Sequence, residues 1–239
     1  MKKALAKSIA LGLLVMFANA ACKQTVKAPV RTSGATRPAA ATATQAAAST
    51  APRPEIHYPG DPQRALGIYQ PWSDADIEFM TGMIPHHAQA VIMAGWARSH
   101  GAREDVAILC ERTVVGQGDE IRSMQQWLKD RALPVPSATD TRMHMKMDGM
   151  EHDMLMPGML SDEEMAELDK ARGKEWDRLF LIGMIKHHGG AIDRVNVLFK
   201  AYGAAQDDGI YRFASDVFAD QSIEIEVMQK MLESIGGGS

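Results

Sequence analysis

Two histidine pairs and one methionine-rich stretch hold most of the ligand chemistry in this chain. His86-His87 follows Gly82-Met83-Ile84-Pro85, and His187-His188 follows Gly183-Met184-Ile185-Lys186. Imidazole is the commonest protein ligand for metals, and a thioether one turn away is a soft donor that selects copper(I). A unit present twice allows four imidazoles and the thioethers of Met83 and Met184 to meet. A second reading stays open, in which each inner histidine is a core residue bonded to a carboxylate or carbonyl of a neighbouring helix, as buried polar groups usually are. Glu120 and Glu224 are placed to accept from such rings and fix their tautomers, with Gln117 and Gln221 one turn earlier. The alternative for both glutamates is a half-exposed charge.

The second stretch, residues 143–159, packs seven methionines and two histidines into seventeen residues. These are Met143, His144, Met145, Met147, Met150, His152, Met154, Met156 and Met159. A methionine stripe at helical spacing is ordinary core filler. Here Gly149, Pro157, Gly158 and several charges interrupt it, so a packed helix explains it poorly. Soft thioethers suit copper(I), and imidazole suits copper in either oxidation state. Methionine also avoids the disulfide chemistry that an oxidising compartment imposes on paired cysteines. The stretch therefore reads as a copper(I) capture loop outside the rigid part of the protein.

What must position these residues is helical. Ser73-Asp-Ala-Asp opens like a capping box. Phe79, Met83, His86, Ala90, Met93 and Ala97 then recur at spacings of three and four, which is one helix face. Further helices are expected over about 104–130, from Ser161 with a break near Gly173, over 175–200, and over 206–235. No sustained alternation appears, so no sheet is expected. The segment from Asp76 to Ala90 matches that from Asp177 to Ala191 at eight of fifteen positions. Gln117, Glu120, Ile121, Met124, Gln125 and Leu128 likewise match Gln221, Glu224, Ile225, Met228, Gln229 and Leu232. An all-α four-helix bundle of two duplicated hairpins, related by a pseudo-twofold over residues 72–235, follows. It should bring His86 and His187 face to face.

The ends of the chain and its charge narrow the function. Lys2, Lys3 and Lys7 precede a short apolar run ending at Phe17, the pattern of a secretory signal over residues 1–22. Ala18-Asn19-Ala20 fits ordinary cleavage, while Ala20-Ala21-Cys22 fits a lipobox that would lipidate Cys22 and anchor the protein to a membrane. An Ala/Thr/Pro-rich stretch follows and reads as a disordered tether over 23–71. Beyond residue 55 the chain carries 18 basic and 29 acidic residues, which repels nucleic acid. Two cysteines, Cys22 and Cys110, build neither a disulfide framework nor a thiolate zinc site. Cys110 aligns with Ala214, the signature of a small buried side chain.

The doubled Phe-x-x-x-Met-Ile-x-His-His-x-x-Ala-Ile/Val pattern, the Met/His connection and the Glu-Ile-x-x-Met-Gln-x-Leu ends together resemble the bacterial family called domain of unknown function 305. The resemblance implies a ferritin-like four-helix bundle, exported or envelope-bound, with copper binding and copper resistance in some members. Its motif falls on Met83, His86, His87, Met184, His187 and His188. The function expected is an exported protein that sequesters copper, as Cu(I) or Cu(II), or hands it on in the cell envelope. One rival is a structural or partner-binding lipoprotein with core histidines. A di-iron oxidase is another, but it needs Glu-x-x-His on two helices, and here Met or Ile precedes each histidine by three. No nucleophile–base–orienter set, phosphate loop or dinucleotide fingerprint is present, so an enzyme is not expected.

Overall fold

The computed structural model describes residues 55–147 and 150–236, without the side chains of residues 145–147 and 151. The signal, the lipobox with Cys22 and the tether up to residue 54 lie outside the described residues. Four long helices make the bundle: α2 (Asp74–Gly95), α3 (Glu104–Asp130), α5 (Gly173–Lys200) and α6 (Asp208–Gly236). They follow β1 (Ile56–His57), α1 (Asp61–Ala65) and β2 (Trp72–Ser73), and between the hairpins lie β3 (Met143–Met147), β4 (Met150–Met154) and α4 (Asp162–Lys170). Helix α2 packs on α3, α5 on α6, and α2 crosses α5 in the middle. The protein is all-α in class. Among the described residues, no helix is long and apolar enough to cross a membrane.

Capping fixes where the helices begin. Ser73 and Asp76 form a reciprocal capping box at α2, and Ser161 and Glu164 form one at α4. Asp76 has a second task, because its other oxygen accepts the Ala205 amide at 2.8 Å, just before α6. Its repeat counterpart Asp177 accepts the Arg103 amide at 3.2 Å, just before α3, a helix with no side-chain cap of its own. Each hairpin's first helix thus holds the other hairpin's turn. Burial pushes the Asp177 carboxyl above the usual carboxylate range, and the Arg103 amide works against that shift.

The core divides into two apolar clusters. One gathers Phe79, Met83 and Ile84 with Met124, Leu128, Val195 and Val217. The other gathers Met93, Val106 and Cys110 with Trp176, Phe180, Met184 and Met228. The histidine pairs fall at the junction of the two. Cys110 is buried and its thiol is pushed up to about 12, chiefly by desolvation, which leaves it unreactive at neutral pH.

Two expectations need correction. Sheet is present: β1 pairs with β2, and β3 with β4, both antiparallel. The β3–β4 hairpin joins every methionine in it to a methionine or histidine, as Met143↔Met154, Met145↔His152 and Met147↔Met150. The charged positions pair separately, His144 with Asp153 and Lys146 with Glu151. Residues 55–71, assigned above to the tether, carry β1 and α1, because the Ile56–His57 backbone finds a partner in β2 and Ile68 buries itself in the first cluster.

Candidate metal site

His86, His87, His187 and His188 are all fully buried, a costly place for four imidazoles. The rings of His86 and His187 meet across the α2–α5 crossing with centroids 3.8 Å apart and planes tilted by 40°. Within each pair the neighbouring ring centroids are 6.2 Å apart, and both pairs show the same 54° angle. The repeat in sequence is therefore a repeat in geometry.

Each ring directs Nε2 at an oxygen. His86 meets the carbonyl of Pro157 at 3.2 Å, His187 the carbonyl of His86 at 3.0 Å, and His188 the Glu224 carboxylate at 2.6 Å. His87 Nε2 lies 2.8 Å from Glu120, a close contact whose angle is too poor to count as a made hydrogen bond. A carbonyl or carboxylate can only accept, so Nε2 carries the proton in the three bonded rings. In His86 and His187, whose rings burial keeps neutral, Nδ1 then holds a bare lone pair. All four Nδ1 atoms are buried without a hydrogen-bond partner. This is how ligating histidines are usually held, with the second nitrogen donating to an oxygen that fixes tautomer and orientation. Burial first, then neighbouring imidazoles, drive the pKa of His86 and His187 well below the ordinary histidine value, so both rings stay neutral.

No three of these nitrogens form a ready chelate. Among the described residues, three His, Cys, Asp or Glu ligand atoms lie within 4.8 Å of one another only at Glu55, His57 and Asp74. That trio, on exposed ground at the start of β1, had no sequence signal. Its Asp74 is already engaged, by His57 Nε2 at 2.8 Å and the Glu55 amide at 3.1 Å.

The methionine-rich connection does not stand apart, contrary to the expectation of a loop outside the bundle. Met143, Met156 and Met159 are buried, and a Cβ on Gly82 would meet Met156 at 2.7 Å and the Met143 sulfur at 3.4 Å. The counterpart Gly183 makes room for Leu160 in the same way. Gln89 clamps Leu160 with two hydrogen bonds, of 2.9 and 2.8 Å. Its counterpart Gly190 leaves space for the Pro157 carbonyl, which any side chain there would strike. The connection thus lies along the α2–α5 groove and covers His86. Met83 and Met184, buried one turn before the histidines, face the core from the same units.

Not every expected ligand is equally free. His144 is exposed, with Nδ1 and Nε2 each 2.6 Å from a carboxylate, Asp153 and Asp140. Those bonds raise its pKa and hold the proton a metal would need to displace. His152, Met150 and Met154 are exposed. Gln117 and Gln221 are buried beside Glu120 and Glu224.

Residues 76–232 match the profile of the family described as domain of unknown function (DUF305). A Streptomyces coelicolor DUF305 protein described as secreted shares 30% identity at a TM-score of 0.57, covering 68% of this chain and 94% of that one. A DUF305 fragment from Deinococcus radiodurans, at 23% identity and a TM-score of 0.55 over 67% and 97% of the two chains, shows the shared fold. CopM in its Cu(II)-bound form matches at 25% identity with a TM-score of 0.50, covering 66% of this chain and 96% of CopM. None of the curated proteins matches the chain.

Proposed function

This chain belongs to the DUF305 family, and from that premise we propose that it is an exported copper-binding protein which sequesters the metal or hands it on in the cell envelope. One observation carries the reading: four buried imidazoles present unpartnered Nδ1 atoms while their Nε2 atoms are turned to oxygens. A core serving only structure would satisfy those nitrogens. The likeness to CopM with Cu(II) bound supports copper as the metal. The basic, apolar N-terminal pattern and the secreted Streptomyces relative support export. Lipidation at Cys22 is part of the proposal, and its role is binding, not catalysis.

Two ligand chemistries divide the work. His86, His87, His187 and His188 offer nitrogen for either oxidation state, with Glu120 and Glu224 holding the outer rings and the Met83 and Met184 thioethers nearby. The hairpin, with Met145, Met147, Met150, His152 and Met154, offers soft sulfur for copper(I). The segment that follows the hairpin sets the Pro157 carbonyl on His86, so sulfur and imidazole donors are neighbours along one stretch of chain.

Replacing Met145, Met147, Met150 and Met154 with leucine tests the sulfur part, since leucine keeps volume and removes the donor. Copper(I) held against a competing chelator should fall by about one ion per chain while the helical circular dichroism stays unchanged. The lost portion should be the one that persists at mildly acidic pH, because a neutral thioether has no proton to lose or gain. An unchanged copper(I) stoichiometry would make the hairpin a methionine-rich cover only.

A further inference from the structure

The seam between α3 and α6 carries an oxygen-lined cleft on the solvent side of the histidines. Gln117, Glu120, Asp220, Gln221 and Glu224 line it, with Arg112 and Gly116 at its edge, around a volume of about 70 Å³. That is room for an ion with several waters. Three carboxylates stand against one guanidinium. Burial, then Glu120, Asp216 and Glu224, raise the Asp220 carboxyl, the signature of like charges held together without enough compensation.

The second observation is independent of the acids. Gln117 and Gln221 are 95% or more buried, at 5% and 3% exposure, and both line the cleft. The Gln117 side-chain oxygen and both polar side-chain atoms of Gln221 have no hydrogen-bond partner. Leaving buried amides unpaired is costly, so a pair of them at equivalent repeat positions points to a ligand that takes the lone pairs of their oxygens. Carboxylate and amide oxygens together form a hard donor set, which suits magnesium, calcium or manganese and not copper(I). The carboxylates are not drawn into a tight chelate: their oxygens are outside the 4.8 Å grouping met at Glu55, His57 and Asp74. An ion that keeps part of its water shell needs no such grouping.

We propose that the α3–α6 cleft is a second cation site, built from Glu120, Asp220, Glu224 and the amide oxygens of Gln117 and Gln221, for a hydrated divalent ion that prefers oxygen. It stands whether or not the imidazoles take copper. Because Glu120 and Glu224 also touch His87 and His188, an ion there changes the charge felt at the imidazoles and couples the two sites.

Manganese(II) alone, titrated into the metal-free full chain and followed by the loss of its free-ion paramagnetic resonance signal, is the probe. One site per chain is expected, weakened at least about tenfold in Asp220→Asn, since removing one of three charges removes a principal attraction. Asp220 is exposed, so this variant should fold. Gln221→Leu keeps every charge and should weaken the site as well, which separates a ligand set from a general acidic surface. Asp74→Asn should change nothing. No bound manganese, equal affinity in Asp220→Asn, or loss of binding in Asp74→Asn instead would each overturn the proposal.

Discussion

Replacing His86 and His187 together with alanine is expected to weaken copper(II) binding by at least about a hundredfold. Loss of a single outer-shell partner typically costs 10–100-fold in metal affinity, and these two rings are placed as ligands themselves. They meet at 3.8 Å across the α2–α5 crossing. Thioethers do not replace them, because copper(II) favours nitrogen over soft sulfur. Isothermal titration of copper(II) into wild-type and doubly substituted protein reads the effect, with circular dichroism to show that the bundle persists. Glu120→Gln with Glu224→Gln provides the graded comparison: the rings stay, their orientation loosens, and the loss should be smaller. A folded double alanine variant with unchanged copper(II) affinity would leave the histidines as core residues.

The metal-free protein should lose stability steeply as pH falls below about 6.5, where histidines of the unfolded chain take up protons. His86 and His187 have folded pKa values far below that, because burial penalises the cation. Such groups leave stability intact above the unfolded value. As pH falls below it, the unfolded state binds two protons that the folded state refuses. Well below that value the slope approaches that of two protons taken up on unfolding, on the order of 3 kcal/mol per pH unit. Exposed His144 works the other way, as its raised pKa contributes stability present at low pH and lost as pH rises through it, but screening keeps that effect small. Carboxylates lowered by partners, such as Asp105 and Glu164, lose their contribution only as they protonate, at lower pH. Urea unfolding of metal-free protein at pH 7.5, 6.5 and 5.5 reads the slope, and His86→Asn with His187→Asn should flatten it. An equally flat profile in wild type would contradict the burial of two neutral rings.

Both effects rest on features that differ in how visible they are in sequence. The four long helices are legible because period 3.6 and the Ser73 and Ser161 capping boxes mark them directly. The pairing of His86 with His187 is legible because the same unit occurs twice, and duplication implies a symmetric meeting point. The hairpin over residues 143–154 was legible too, under a looser test. Met143-His-Met-Lys-Met147 alternates over five residues, and Asp148-Gly149 is a strong two-residue turn signal; a demand for longer alternation hides it.

Other features are not legible in one sequence. Asp76 and Asp177 stand out as repeated residues, yet their hydrogen bonds run to the opposite hairpin's turn, a contact that no local pattern encodes. Gln89 and Gly190 occupy equivalent positions and differ in type, which looks like drift. In the fold one clamps the connection and the other makes room for it, so the difference breaks the symmetry to seat a single chain segment over two equal halves. The reading of residues 55–71 as tether failed because two-residue strands and a five-residue helix are too short to leave a periodic signal.

The central claim is that the buried imidazoles and the sulfur-lined hairpin hold copper. Metal analysis of the full mature chain, purified without a histidine tag and exposed to equal concentrations of copper, iron, zinc and manganese, tests it most directly. Copper should be retained after extensive dialysis and should drop sharply in the His86→Ala, His187→Ala double variant. Retention of iron in place of copper, or of no metal that depends on those two histidines, would contradict it.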